Sequence, residues 1–284
     1  MRPQDGGRER ALEPFELFAI KYGRHEGRTG ADNFIGGDDL HEASSPLDYF
    51  VWVAKRSDRC FVIDTGFNAR ASKERGRTLL RTPAQGLAEL GIDAAQVDEV
   101  ILSHLHFDHA GGLDDFPKAR FHLQDSEMAF ATGRCMCDSF LRHPFDVEDV
   151  VGMVRLVYAD RAVFHDGYRE IVPGLSLHHV GGHSAGLQMA RVWTKRGWVV
   201  IASDASHLYE NFLKARPFPF VYRVDELLKG YKSALDLADS ADHVIPGHDP
   251  LVMSLYPPVT DALDGIAVRL DVAPRPHPVS GGPA

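Results

Sequence analysis

The sequence predicts a single α/β domain in which two sheets are sandwiched by helices. Its β-rich runs fall into two clusters, and its helical segments are few. No internal repeat, low-complexity segment or linker divides the 284 residues, a length that suits one large domain. An apolar share of 44% and a charged share of 25% are ordinary for a globular chain with a sizeable core.

Residues 1–14 are polar and Gly-rich, lack the apolar centre of a signal peptide, and read as a flexible leader. FELFAIKYG (15–23) alternates as an opening strand. Residues 24–46 are rich in Gly and Asp and carry neither periodicity; loops of that length often serve as lids. LDYFVWVA and CFVIDTG are β-rich runs joined by KRSDR, the pattern of a hairpin. PAQGLAELGI reads as a short helix with Gly91 near its end, and VDEVILSH as a buried strand. ARFHLQ is a further strand, and DSEMAFATG starts a helix capped by Asp125 or Ser126 with Glu127 in its first turn. VEDVVGMVRLVYA and VDELLKGYKSALDLA have apolar residues at helical spacing; in the second, Leu227, Leu228, Tyr231 and Leu235 are expected on one face. GLSLHHVGGH, LQMARVWTKRGWVVIASDA and DHVIPGHD are strands that each end in a polar turn. The folded domain is expected over 15–256. Residues 257–284, closing in the Pro/Gly-rich VAPRPHPVSGGPA, are expected to form a tail.

Composition narrows the function classes. A net charge of −9 and a pI of about 5.9 argue against nucleic acid or an anionic membrane surface as partner. No apolar run approaches the roughly eighteen residues of a membrane span. Three cysteines, Cys60, Cys135 and Cys137, make no disulfide framework, which predicts a reducing, cytoplasmic setting. A homodimer is left open.

The chemistry concentrates in SHLHFDHAGG (103–112). His104 and His106 are one residue apart, so on extended chain both side chains point to the same side and can take one metal. Asp108 and His109 follow where the chain turns, with Gly111 and Gly112 expected to relieve the backbone. One metal with all four ligands from so short a run would be cramped; two adjacent metals fit better. Further ligands lie at strand ends: His183 in GGHSAG, Asp204 in IASDAS and His248 in IPGHD. The seven supply two sets of three, with one carboxylate left to bridge. Imidazole and carboxylate without thiolate suit zinc, and manganese, iron or cobalt are also accepted by such donors.

With VIDTG, SHLHFDHAGG, GGHSAG, SDAS and PGHD in this order, the chain from about Phe15 to Asp249 resembles the metallo-β-lactamase superfamily, most closely its N-acyl homoserine lactonases. The resemblance implies a four-layer αββα sandwich with the metals at one edge. It implies that His104, His106 and His183 hold a first Zn2+, that Asp108, His109 and His248 hold a second, and that Asp204 bridges them. A hydroxide between the ions, formed because zinc lowers the pKa of water from about 15.7 to roughly 7, would then attack a lactone carbonyl. Residual positive charge would stabilise the oxyanion, so an anionic substrate is not required. Asp108 is the expected proton relay to the departing oxygen. Asp64 of VIDTG is expected behind the ligands, hydrogen-bonding the loop that carries them.

Two positions depart from the lactonase pattern. Where those enzymes carry a tyrosine three residues after the bridging aspartate, this chain has His207, which can donate to a carbonyl or titrate near neutral pH. Leu187 stands where many relatives have another histidine. An apolar substrate wall is sketched by Phe34, Phe107, Phe212, Phe218, Phe220 and Tyr222, with Arg216 available for a polar substituent. The leading expectation is a small-molecule lactone as substrate, with quorum quenching as its tentative setting. Alternatives are a related hydrolase of an aromatic lactone, cyclic amide or thioester, or a metal-binding regulator of the same fold.

Overall fold

The computed structural model describes residues 12–36 and 42–276; most of the expected leader, residues 37–41 of the expected lid loop and the last eight residues of the expected tail lie outside the described residues. The strands, in chain order, are β1 (Glu16–His25), β2 (Leu47–Arg56), β3 (Arg59–Ile63), β4 (Thr78–Leu79), β5 (Glu99–Ile101), β6 (Arg120–Gln124) and β7 (Ala162–His165), followed by β8 (Tyr168–Val172), β9 (Leu175–His179), β10 (Gln188–Thr194), β11 (Gly197–Ser203), β12 (Val244–Pro246) and β13 (Ala267–Arg269). They form two sheets. One runs β13-β1-β2-β3-β5-β6-β7 with β4 beside β1, and the other runs β12-β11-β10-β9-β8.

β2 reads as an unbroken apolar run because both faces of its sheet are covered. Phe50, Trp52 and Ala54 enter the core between the sheets, shared with Leu177, Met189 and Ile201 of the facing sheet. The alternate residues Tyr49, Val51 and Val53 enter a second core under the helices Pro83–Glu89 and Val147–Tyr158, with Leu87, Met153 and Leu156. On the outside of the second sheet the helix Val224–Leu237 buries Leu227, Tyr231 and Ala234. Helix, sheet, sheet and helix thus make the four layers of the expected sandwich. Each fully buried side chain of this size contributes roughly 1.5–3 kcal/mol. Leu228, expected on the Leu227 face, is 40% exposed, because one residue turns a helix by about 100°.

Two expectations need correction. Residues 257–270 are not tail: β13 pairs antiparallel with β1, from Phe18 against Arg269 to Ile20 against Ala267, and Val268 and Leu270 are buried. The short apolar run AVRL was hidden by the prolines around it. The expected loop 24–46 is also partly ordered, since β1 continues to His25 and a one-turn helix, Gly30–Asn33, follows.

Parallel pairing sets up the site. β3, β5 and β6 run side by side in one direction, and β11 and β12 do so in the other sheet. The segments after β3, β5, β11 and β12 therefore emerge along one rim of the sandwich, where the polar turns lie.

Candidate metal centre

Each expected metal donor leaves a strand at that rim. β5 runs into Ser103, His104 and His106, and His106 caps the one-turn helix Phe107–Ala110 that carries Asp108 and His109. His183 follows β9, Asp204 follows β11 and His248 follows β12. Gly111 and Gly112 are needed here for a reason other than the one expected. Their φ values are ordinary, −81° and −118°. A Cβ on Gly112, however, would sit 2.4 Å from the carbonyl oxygen of Thr65. The glycines let the ligand helix pack onto the loop after β3.

All seven donors are buried and converge, and Asp204 sits at their middle. Its Oδ2 lies 3.2 Å from His183 Nε2 and 4.0 Å from His104 Nε2. Its Oδ1 lies 3.0 Å from His248 Nε2 and 3.3 Å from His109 Nε2. Asp108 Oδ2 is 3.7 Å from both His109 Nε2 and His248 Nε2. His106 presents Nδ1, 2.9 Å from His183 Nε2. Two clusters of metal-donor spacing result, His104–His106–His183 and Asp108–His109–His248, with one oxygen of Asp204 turned to each.

The remaining ring nitrogens fix the tautomers. His109 Nδ1 is held by Asp64 Oδ2 at 2.8 Å, His183 Nδ1 by the Phe220 carbonyl at 2.6 Å and His248 Nδ1 by the Asp48 carbonyl at 3.0 Å. His104 Nδ1 meets Ser103 Oγ at 3.0 Å, and that hydroxyl donates to Asp64 at 2.8 Å. A ring that donates through Nδ1 turns its Nε2 lone pair inward, the form a metal needs. Asp64 thus accepts from Ser103 and His109, and its left-handed φ of 63° is a backbone cost borne beside the site. Burial pushes His104 and His106 well below the usual histidine range and His183 down to about 4. At His109 burial is outweighed by Asp204, Asp108 and Asp64, which hold it well above that range.

The donor set fits a divalent ion. His104 Nε2, His109 Nε2 and Asp204 Oδ1 are buried without a hydrogen-bond partner, the arrangement expected of atoms whose partner is a metal. No thiolate joins the clusters among the described residues, which agrees with a borderline cation.

His207 lines the cleft, with its ring nitrogen turned to a carboxylate. Burial lowers it to about 4, and Phe218 stacks on it at 3.6 Å and 12°. Its Nε2 lies 3.0 Å from Asp204 Oδ2, so it faces the shared carboxylate and joins His183 and Asp204 in a further donor cluster. Of the expected substrate wall, Phe107 and Phe220 line the cleft above the donors. Tyr222 lies in an adjoining shallow pocket against Phe130. Phe212 belongs to the core, and Phe34 is buried with Leu47 and Leu208 under the guanidinium of Arg216. Arg216 is drawn there by Glu210, at 2.6 Å, and does not line the cleft. Aromatic residues near a site in sequence are as readily core as wall, and here half of the six, Phe34, Phe212 and Phe218, are core.

Sequence reasoning missed the rest of the cleft: Arg28, Tyr49, Arg75, Arg77 and His143. It also missed the role of Glu127. A larger cavity of about 470 Å³ lies away from the donors, between Arg70 and the helix Val147–Tyr158.

Comparison with known proteins follows this geometry. Residues 45–248 match the family model of the metallo-beta-lactamase superfamily. A probable metallo-hydrolase of Mycobacterium bovis is 25% identical over 229 residues, 70% of this chain and 71% of that protein. An N-acyl homoserine lactonase of Bacillus thuringiensis is 32% identical over 133 residues, 46% of this chain and about half, 48%, of the lactonase. Among solved structures, a quorum-quenching N-acyl homoserine lactone lactonase superposes with a TM-score of 0.69 at 23% identity, covering 84% of this chain and 94% of that one. A dizinc quorum-quenching lactonase with its product N-hexanoyl-L-homoserine gives 0.66 at 17% identity, covering 84% and 89%. At such identities the superpositions speak to the fold.

Proposed function

The chain belongs to the metallo-β-lactamase superfamily, a family of metal-binding hydrolases, and on that premise we propose that it is a dinuclear zinc hydrolase that opens a lactone ring. The observation that carries the reading is Asp204, whose two oxygens face two separate donor clusters. His104, His106 and His183 would hold one ion, Asp108, His109 and His248 the other, with Asp204 shared. Bound there, the pair of ions would supply a water of pKa about 7 and a Lewis acid for the carbonyl.

The side chains do the remaining work. Asp108 lines the cleft next to His109 and His248, where its carboxylate can hold a proton for the departing alkoxide. In the balanced reaction the oxygen of water joins the acyl carbon and the ring C–O bond breaks. One proton reaches the alkoxide, and a hydroxy acid is the product. His207 donates to Asp204 Oδ2, so its influence on the substrate passes through that carboxylate, and Phe218 fixes its plane. Phe107, stacked on Phe67 at 5.8 Å, and Phe220 form the apolar side of the cleft. Among the described residues no helix is long and apolar enough to cross a membrane.

Hydrolysis of a panel of lactones, thioesters, cyclic amides and β-lactams, with bound metal quantified in parallel, tests the assignment. Lactones are expected to be the best substrates. Faster turnover of thioesters or amides than of every lactone would overturn it.

A further inference from the structure

The cleft is basic in an acidic chain. Acidic residues outnumber Lys and Arg by 40 to 31, yet among the described residues the acids that line this cleft are Asp108 and Asp204, both committed to the donor clusters. Facing them are Arg28, Arg75 and Arg77, all part-buried. Arg56, Arg70, Arg216, Arg223 and Arg269 each pair with a carboxylate, as is usual. Among the described residues the cleft arginines form no such ion pair. Arg28 is held by Asn33 Oδ1 at 2.7 Å and the Asp32 carbonyl at 2.5 Å. Arg75 is held by the carbonyls of His143 and Phe145, both at 2.9 Å, and lies 4.1 Å over the Phe107 ring. Arg77 is held by Tyr49 Oη at 3.0 Å, His25 Nε2 at 3.1 Å and the Arg75 carbonyl at 2.5 Å. Every one of these partners is uncharged, His25 included, since burial and then Arg77 and Arg28 lower it to about 4.

These anchors orient the three groups without neutralising them. Among the described residues they leave Arg28 Nη1 and Arg77 Nη2 uncommitted. Burial disfavours the charge on Arg28 and Arg75 by more than the carboxylates near them favour it, Asp32 at Arg28 and Asp108 and Asp146 at Arg75, and Arg77 adds repulsion. Like charges gathered in a part-buried cleft raise the free energy of the empty site and are relieved by an incoming anion. Guanidinium groups match oxyanions through two parallel N–H donors. The position is also informative: Arg77 is linked through Tyr49 to the ring of the donor His248, 5.0 Å from the Tyr49 ring. An anion on the arginines would therefore stand one side chain away from the donors.

We propose that this cleft is built for a substrate bearing a fixed anionic group, a carboxylate or a phosphate, held by Arg28 and Arg77 while the reacting carbonyl faces the donor clusters. The inference rests on the hydrolytic reading above and narrows its substrate. It replaces the neutral ring allowed by sequence with an acidic one.

The test uses the metal-loaded enzyme and three matched γ-lactones carrying a carboxylate, its methyl ester or a phosphate. The better of the two anionic lactones should exceed the ester in kcat/KM by about tenfold or more, the scale of one charge-assisted hydrogen bond. In Arg28→Gln and Arg77→Gln the anion-to-ester ratio should fall towards one. Which anion gains more tells carboxylate from phosphate. Equal use of ester and anions by the wild type, or an unchanged ratio in both variants, overturns the proposal. If Arg77→Gln misfolds through loss of its Tyr49 contact, Arg28→Gln carries the comparison. Should no lactone of any charge be cleaved, the hydrolytic reading fails separately, and calorimetry with glutarate and inorganic phosphate decides the anion site. Binding that weakens about tenfold in Arg28→Gln supports it; no binding, or binding equal in wild type and variant, overturns it.

Discussion

Glu127 accepts the backbone amide of Leu105, at 2.9 Å, and so holds the residue that separates two metal-donor histidines. Its other oxygen accepts Ser184 Oγ and the Gly186 amide, each at 2.8 Å, beside the donor His183. One fully buried carboxylate thus joins the loop after β5 to the loop after β9. Burial pushes its pKa up, and the three donors pull it back. Glu127→Gln would turn an amide NH2 towards groups that already donate. It is expected to cost roughly 2–3 kcal/mol. Urea unfolding should show a lower midpoint, and chelator competition faster metal loss. An unchanged midpoint would mean that the loops hold their shape without the clamp.

Asp204→Ala and His109→Ala each remove an atom from the shared middle of the donor set. On the proposed dinuclear reading, both are expected to reduce bound metal from two ions per chain to one or none, read by elemental analysis of the purified protein. Two ions in either variant would refute the ligand assignment.

His207→Phe keeps an aromatic plane for Phe218 and removes the hydrogen bond to Asp204. Turnover is expected to fall by an order of magnitude or more, the scale of one lost hydrogen bond to a charged group, while metal content stays intact. In the cobalt-loaded protein the ligand-field absorption should shift, because Asp204 loses one of its five histidine neighbours. Unchanged turnover and spectrum would make His207 a bystander.

Asp149 gives a pH prediction away from the metal. Burial first, and then the Asp146 carboxylate, raise it from the usual value to about 7. A carboxyl raised on folding holds its proton in the native state while the unfolded chain has released it. Stability is therefore full below about pH 4 and is lost as pH rises towards 7. Asp149→Asn should remove the loss, gaining up to about 4 kcal/mol at pH 8 and nothing at pH 4. Thermal melts at the two values check the sign. An equal effect at both would place the stabilisation elsewhere.

The donors were legible because their spacing is local and the chemistry of each residue type is narrow. His104, His106, Asp108 and His109 are recognisable within one heptapeptide, and the strand-end turns announce the other three. Glu127 was visible only as a favourable charge in a first helical turn. Its function depends on Gly186, where an added Cβ would lie 2.2 Å from the Glu127 amide, an approach that no local pattern encodes. The cleft arginines were hidden for a related reason. Arg75 ends a surface helix and Arg28 sits in a Gly-rich loop, positions where a charged residue ordinarily faces water. Phe212 and Phe34 were misplaced because an aromatic ring carries no mark of whether it faces a ligand or a core. β13 was missed because three residues give no period.

The donor positions also have a mechanical meaning. His104, His106, Asp108 and His109 hang from the sheet that contains β5, and His183, Asp204 and His248 from the one that contains β9, β11 and β12. Ions held by both groups would act as rivets through the seam of the sandwich, fastening residues about 140 positions apart as a disulfide would, yet removable by a chelator. In such a molecule, metal supply would set the lifetime of the fold as well as the rate of the reaction.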